Sequence, residues 1–144
     1  MENQNKTLLY PDWGLIDYNE AWERQEELFH TNIQAKINGL PTINSLIFCE
    51  HPHVYTLGKS GDEHNLLIDY IKLQAENAQF VKTNRGGDIT YHGPGQLVGY
   101  PVFDLENFNM GLKQYIYTME ACIIDLLKEY NIQANRLDGA AGED

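Results

Sequence analysis

The pattern of apolar and polar positions predicts two long amphipathic helices. The first covers residues 16–37, where apolar side chains recur close to the 3.6-residue helical period. Asp17 begins what resembles a capping box at its start, and Gly39 lies where it should stop. The second covers residues 112–130, with Asn131 as its stop. Its apolar stripe, which we expect to be core, contains Leu112, Tyr115, Ile116, Met119, Ile123, Leu126, Leu127 and Tyr130.

Shorter apolar runs between these helices predict strands, because they are bounded by turn-forming residues. The run at residues 53–59 could continue the run at residues 44–50 or form a separate strand after Pro52. The predicted strands are residues 44–50, 53–59, 80–85 and 96–105, and a short helix is predicted at residues 69–78. The order of these elements predicts an α/β sandwich with helices on one sheet, and 144 residues fit a single domain, 1–144.

Composition and charge narrow the function classes. The formal net charge of −11 is a poor match for a nucleic-acid binder, whose affinity comes mostly from Lys and Arg on phosphates. No secretory signal and no apolar run of about 20 residues is visible, so we expect a cytoplasmic protein that does not span a membrane. Cys49 and Cys122 each lie in an apolar run, which predicts two buried, reduced thiols.

The segment RGGDITYHGPGQLVGY, residues 85–100, combines glycines with residues that favour strands. Gly86 and Gly87 remove two consecutive Cβ atoms, so a ligand can lie against the main chain, whose N–H groups can hold a carbonyl or an oxyanion. Arg85 adds a fixed positive charge, and His92 adds a hydrogen-bonding group near neutral pH. The Gly-Pro-Gly run that follows predicts a tight turn that presents His92 and Gln96 at a rim.

Two structural alternatives remain open from the residues alone. The glycines could serve only as hairpin turns, with His92 on the surface and Asp88 as a turn former. His51 and His53 could hold a metal together with His64 or His92, but no carboxylate or cysteine cluster accompanies them. We therefore expect a turn rather than a metal site, with His51 near a substrate mouth, and no cofactor. Neither a Walker loop nor a dinucleotide-binding fingerprint is present.

The segment RGGDITYHGPGQLVGYPVFDL, residues 85–105, resembles the signature of the lipoyl(octanoyl) transferase family, the octanoyl-carrier-protein:protein octanoyltransferases. EHPHVYTLGK (residues 50–59), YNEAWERQEEL (18–28) and NRLDGAAG (135–142) resemble other parts of the same family. The resemblance implies a mixed sheet flanked by helices, similar to the catalytic domains of biotin and lipoate protein ligases. The implied acyl-binding wall consists of Arg85, Gly86, Gly87, Asp88, Ile89, Thr90, Tyr91 and His92.

The resemblance also implies an activity and its partners. Members of this family are acyltransferases that move an octanoyl or lipoyl group from acyl carrier protein to a lysine of lipoyl domains, which is the first step of protein lipoylation. The acceptors are lipoyl domains of 2-oxo acid dehydrogenases and the H protein of glycine cleavage. We expect no nucleic-acid partner and no membrane partner.

One departure from the family concerns its catalytic lysine and cysteine, which lie downstream of the segment that resembles RLDGAAG. We therefore expect residues 1–144 to be the N-terminal part of an octanoyltransferase catalytic domain, inactive alone, with no catalytic residue of its own. Cys49 shares a strand face with His51, but a thiol buried in an apolar run is a poor nucleophile. The alternatives are a non-catalytic fragment that binds acyl groups or lipoyl domains, and an ATP-dependent lipoate–protein ligase.

Overall fold

A computed structural model describes residues 4–59, 66–74 and 77–137. The strands in this part of the chain are β1 (Leu8–Leu9), β2 (Asp12–Leu15), β3 (Asn44–Glu50), β4 (Val54–Leu57), β5 (Gln79–Lys82), β6 (Ile89–His92) and β7 (Val98–Val102). The helices are α1 (Tyr18–Ile37), α2 (Leu66–Gln74) and α3 (Leu112–Glu129), with a short 3₁₀ helix at Leu105–Phe108. None of these helices is long and apolar enough to cross a bilayer.

The strands form two sheets, and each sheet is built around one of two successive strands. In the first sheet, β3 pairs in parallel with β1 and β2 and antiparallel with β7. In the second, β4 pairs in parallel with β5 and antiparallel with β6. The predicted mixed α/β class is confirmed, but the strands do not share one sheet. Pro52 lies between β3 and β4, and a proline has no N–H to donate to a continuing ladder.

The predicted elements are confirmed in type, with shifted bounds. β4 is a separate strand after Pro52, β5 begins at residue 79 instead of 80, and β7 is shorter than the predicted 96–105 because Leu105 begins the 3₁₀ helix. Helix α2 starts before the predicted residue 69, and part of the predicted 69–78 lies outside the described residues. The sequence patterns missed β1 and β2, which are too short for an alternation to be read. They also missed β6, because glycines surround it.

Helix α1 begins and ends where its capping residues predict. The Asp17 carboxylate accepts a hydrogen bond from the Glu20 backbone N–H at 3.1 Å, and Gly39 adopts a φ of 66° after the last turn. Its buried side chains are Tyr18 and Ala21. Three of the apolar residues at helical spacing that predicted this helix are solvent-exposed: Trp22, Phe29 and Ile33.

The small core lies between α1 and the first sheet. Ile16, Ala21 and Cys49 form its buried cluster. Trp13, Val98 and Tyr100 pack against this cluster. Because side chains alternate along a strand, Ile47 and Cys49 are buried toward this core, whereas the neighbouring Leu46 and Phe48 line a groove on the opposite face. The first sheet therefore separates a closed core from an open apolar groove.

Helix α3 contradicts its prediction as core, because none of its residues is buried. Four residues of its predicted stripe instead line the groove, which has a volume of about 530 Å³: Tyr115, Met119, Ile123 and Leu126. The groove is lined by Leu8, Leu46, Phe48, Leu97, Gly99, Phe103, Leu105, Phe108, Met110, Tyr115, Thr118, Met119, Cys122, Ile123 and Leu126. A helix that meets the sheet across an open groove keeps its apolar side chains accessible, so the amphipathic pattern marks the correct face but not its burial.

A polar network fixes the loop after β7 against the start of β3. The Asp104 carboxylate accepts hydrogen bonds from Thr42 Oγ1 at 2.7 Å and from Lys36 Nζ at 2.9 Å. Its backbone N–H donates to Asn44 Oδ1 at 3.1 Å, and Asn107 Nδ2 donates to the same oxygen at 3.1 Å. Burial pushes the pKa of Asp104 upward, but the bonds from Thr42 and Lys36 outweigh it and hold the pKa below its ordinary value of 3.8.

We expect Asp104→Asn to lower the free energy of unfolding at pH 7 by about 1.5 kcal/mol, the lower end of the range for one hydrogen bond involving a charged group. Because the folded-state pKa is depressed, this contribution is complete above 3.8 and is lost as the pH falls through the lower folded value. Urea unfolding at pH 7 and at pH 2–3 measures it. Asp125→Asn, whose ion pair with Lys128 is exposed, is the control and should change little. An equal loss at both pH values would contradict the assignment.

Candidate functional site

The predicted wall, residues 85–92, is an exposed loop followed by the edge strand β6. Strand β6 pairs with β4, so that Thr56 lies opposite Thr90 and Val54 lies opposite His92. A methyl group added at Gly86 would meet no atom within 4 Å, so the space beside the main chain is open there. Gly87 has a φ of 87°, which favours glycine. The thin backbone that the sequence predicts is therefore present and accessible.

The Gly-Pro-Gly run forms the predicted tight turn. The Gln96 N–H donates to the Gly93 carbonyl at 3.1 Å, and Gly95 has a φ of 90°. The Glu50 carboxylate at the end of β3 accepts a hydrogen bond from the Gly95 N–H at 2.5 Å. His92 Nδ1 lies 2.6 Å from Gln96 Oε1. The turn thus brings His92 and Gln96 together, as expected, and Glu50 ties it to the first sheet.

Four rings meet where the two sheets approach the start of α1. Tyr18 stacks on His92 with ring centroids 6.2 Å apart, and it meets His51 edge-on at 5.3 Å. His51 lies 6.0 Å from His92 and 5.8 Å from Tyr100, again between ring centroids. Burial raises the pKa of the Tyr18 hydroxyl, whereas the Arg85 charge opposes that shift. The end of the wall at His92 therefore borders an aromatic and imidazole cluster.

His51 is the fixed centre of this cluster. Its side chain is fully buried, and its Nδ1 lies 2.7 Å from the Ile16 carbonyl oxygen, which can only accept a hydrogen bond. The proton is therefore on Nδ1, and Nε2 accepts from the Tyr100 hydroxyl at 2.7 Å. Burial raises the pKa of Tyr100, which keeps this hydroxyl a donor. We expected His51 to lie in a turn near a substrate mouth. That expectation did not include its full burial or its hydrogen bonds to Ile16 and Tyr100.

Arg85 occupies a different position from the one expected of a free positive charge on the wall. Its guanidinium turns back into the loop and donates to the carbonyls of Thr56, Gly86 and Asp88 at 2.6, 2.7 and 3.2 Å. It also donates to the Thr56 hydroxyl. Thr56 and Gly58 were not predicted as site residues, although both belong to the segment EHPHVYTLGK that carries part of the family resemblance.

The described histidines of the weighed metal group, His51, His53 and His92, are not arranged as ligands of one metal ion. His51 is engaged by Ile16 and Tyr100, whereas His53 Nδ1 forms a hydrogen bond with the Tyr91 hydroxyl. His64 lies outside the described residues. Within the described ranges, no group of three or more His, Cys, Asp or Glu side chains is arranged to hold a metal ion.

The two cysteines differ in their surroundings. Cys49 is 2% exposed, and its Sγ lies 3.8 Å from His51 Nε2, so the expected shared face is confirmed. Burial, with the nearby Asp12 carboxylate, raises the pKa of the Cys49 thiol to about 11. Cys122 was predicted to be buried. This prediction was wrong, because Cys122 is exposed on α3 and lines the open groove.

We expect iodoacetamide to alkylate Cys122 in the folded chain at pH 8 and to leave Cys49 unmodified, since the thiolate is the reacting species. The rates are measured by mass spectrometry of tryptic peptides. Full labelling of both peptides after unfolding in urea is the control for intrinsic reactivity. Equal rates for Cys49 and Cys122 in the native chain would contradict the buried, protonated state of Cys49.

The groove beside α3 and the predicted wall are at different places in the fold. The 530 Å³ groove lies between α3 and the first sheet, and residues 85–92 are not among those that line it. A smaller cavity of about 190 Å³ lies closer to the wall, between the start of α1 and the end of β5, and includes Tyr18, Trp22 and Asn84. Residues 85–92 line neither of these two cavities.

Comparison with known proteins places this arrangement in a family. The sequence pattern described as "Lipoyl protein ligase A/B catalytic domain" matches residues 17–141. The chain is 52% identical to the octanoyltransferase of Cytophaga hutchinsonii, over 98% of this chain and 61% of that protein. It is 52% identical to the octanoyltransferase of Bacteroides thetaiotaomicron, over 95% and 60% of the two chains, and 51% identical to that of Flavobacterium johnsoniae, over 96% and 62%. The chain spans about 60% of the length of these relatives.

Solved structures support the same fold. LipL1 of P. falciparum, crystallised in complex with lipoate, aligns with a TM-score of 0.60 at 17% identity, covering 91% of this chain and 39% of that one. A T. acidophilum protein assigned provisionally to the lipoate protein ligases aligns with a TM-score of 0.53 at 17% identity, covering 95% and 53%. At this identity the likeness shows the fold, and it confirms the expected resemblance to lipoate protein ligase domains.

Proposed function

We propose an acyl-transfer function for this chain, which belongs to the lipoyl protein ligase A/B catalytic domain family. The reaction moves an octanoyl or lipoyl group from acyl carrier protein to a lysine of a lipoyl domain, the first step of protein lipoylation. The acceptors are lipoyl domains of 2-oxo acid dehydrogenases and the H protein of glycine cleavage. The setting is the cytoplasm, and residues 1–144 form the N-terminal part of the catalytic domain.

The observation that carries this proposal is the identity of about 50% with octanoyltransferases over nearly the whole chain. The likeness to lipoate protein ligase structures is much lower in sequence, at 17%. The sequence comparison therefore favours transfer from a carrier over ATP-dependent ligation.

We assign the acyl group to the wall formed by residues 85–92. Three features support this site: open space beside Gly86, the positive φ of Gly87, and a strand whose last residue joins the ring cluster. A thioester carbonyl can approach bare main chain of this kind, while the aliphatic tail lies along the strand. The residues of the proposed site are Arg85, Gly86, Gly87, Asp88, Ile89, Thr90, Tyr91 and His92.

Within this chain, neither thiol suits the role of an acyl carrier. Cys49 is buried with a raised pKa, and Cys122 lies on the groove beside α3, whereas the wall is formed by the second sheet and its loop. We therefore propose that residues 1–144 contribute the acyl-binding wall, and that the family's lysine and cysteine belong to polypeptide outside these residues.

The proposed activity is tested with octanoyl-acyl carrier protein, a lipoyl domain and no ATP. We expect a chain extended through the family's lysine and cysteine to gain one hydroxylamine-labile octanoyl mass and to acylate the lipoyl domain. Residues 1–144 alone should gain none, as measured by intact mass. The extended chain with its added cysteine changed to serine is the matched control.

Each other result has a definite meaning. A labile octanoyl group on Cys49 or Cys122 would overturn the placement of the nucleophile. Acylation that requires ATP and a free acid would favour a ligase. Binding of the lipoyl domain without any acylation by the extended chain would favour a non-catalytic binding protein.

A further inference from the structure

The Arg85 guanidinium joins the loop at residues 85–88 to strand β4. Arg85 Nε and Nη2 both donate to the Thr56 hydroxyl, at 3.2 and 2.9 Å, and Nη2 also lies 2.6 Å from the Thr56 carbonyl. On the other side, Nη1 and Nη2 reach the carbonyls of Gly86 and Asp88. Thr56 is fully buried in the middle strand of the second sheet. The loop is therefore attached to the most protected strand of that sheet.

Gly58 allows the loop to lie this close to the chain after β4. A Cβ atom there would overlap the Gly87 carbonyl oxygen and would lie 2.7 Å from Arg85 Nη1. The Gly58 N–H donates to the Asp88 carbonyl at 2.6 Å, and the Lys59 N–H donates to the Arg85 carbonyl at 2.9 Å. Close approach, rather than an unusual φ, is what requires glycine at this position.

We propose that Thr56 and Gly58 are positioning residues for the wall. Thr56 holds the Arg85 guanidinium, and Gly58 leaves room for the loop to which this guanidinium donates. The guanidinium then acts through the loop, because its donors are directed at protein oxygens. What it supplies to the site is a fixed main-chain surface at Gly86 and Gly87. The use of this surface by an acyl group rests on the proposed function, but its construction does not.

The role of Thr56 is tested by amide hydrogen exchange, because the Gly58 and Lys59 N–H groups donate hydrogen bonds to carbonyls of the loop. We expect Thr56→Val to accelerate exchange at both amides by about tenfold or more, the factor that losing a hydrogen bond to a charged group predicts. Thr56→Ser, which keeps the hydroxyl, should restore slow exchange. The Ile16 amide in the first sheet is the internal reference. Thr118→Val, which removes a hydroxyl from α3, is the matched control.

The role of Gly58 is tested with Gly58→Ala. Gly111→Ala is the control, because an added Cβ at Gly111 meets no atom within 4 Å. We expect faster exchange at Lys59 in the first variant and no change in the second. Arg85→Lys keeps the charge but not the fork of donors, so it should behave like Thr56→Val.

Unchanged exchange at Gly58 and Lys59 in Thr56→Val would overturn the proposal. Equal acceleration at Ile16 would also overturn it, since that result means general destabilisation instead of a local clamp. Failure of serine to restore protection would exclude the hydroxyl as the holding group. None of these readouts requires an acyl donor, so the proposal can fail or hold independently of the transfer reaction.

Discussion

The rest of the structure depends on one continuous segment, residues 44–58, which supplies the middle strand of both sheets. Its first half, β3, pairs on both sides and separates the closed core from the open groove. Its second half, β4, pairs with β5 and β6. The break between them at Pro52 places the fully buried His51 where the two sheets and α1 meet.

The candidate site is held at both ends by this segment. Thr56 and Gly58 fix the loop at one end through the Arg85 guanidinium, and Glu50 fixes the turn at the other end through the Gly95 N–H. Between these two attachments, every residue of β6 pairs with a residue of β4. Such a site is preorganised by main-chain hydrogen bonds and buried side chains, so the exposed wall needs little packing of its own.

The sequence predicted much of this arrangement, for physical reasons that differ between elements. The cap at Asp17 and the apolar run of β3 are local signals, so their elements were found. Strand β6 was missed because it has only four residues and lies between glycines of the loop and of the turn. These glycines obscure the alternation of its side chains. Helix α3 was recognised from its period, but a period reports which face is apolar and not what covers it, so its predicted burial failed. The exposure of Cys122 follows from that same error.

The main-chain geometry expected of residues 85–95 is present, whereas the side-chain contacts that hold this segment were not predicted. Gly86, Gly87 and the Gly-Pro-Gly turn have the expected geometry because glycine conformational freedom is a property of the residue itself. The contact between Arg85 and Thr56 links positions 29 residues apart, and no local pattern reports such a contact. Tyr18 and Tyr100 were hidden for the same reason, since each was predicted only as part of a helix or a strand.

The assignment of the acyl group to the wall is tested most directly by titrating the ¹⁵N-labelled chain with octanoyl-N-acetylcysteamine, a small uncharged octanoyl thioester, and recording amide chemical shifts. If the wall binds the acyl group, saturable shifts should appear at Gly86, Gly87 and Asp88 and extend along β6 to His92. Saturable shifts confined to residues 112–126 would place the acyl group in the groove beside α3 and contradict its assignment to the wall. The absence of any saturable shift would contradict it as well.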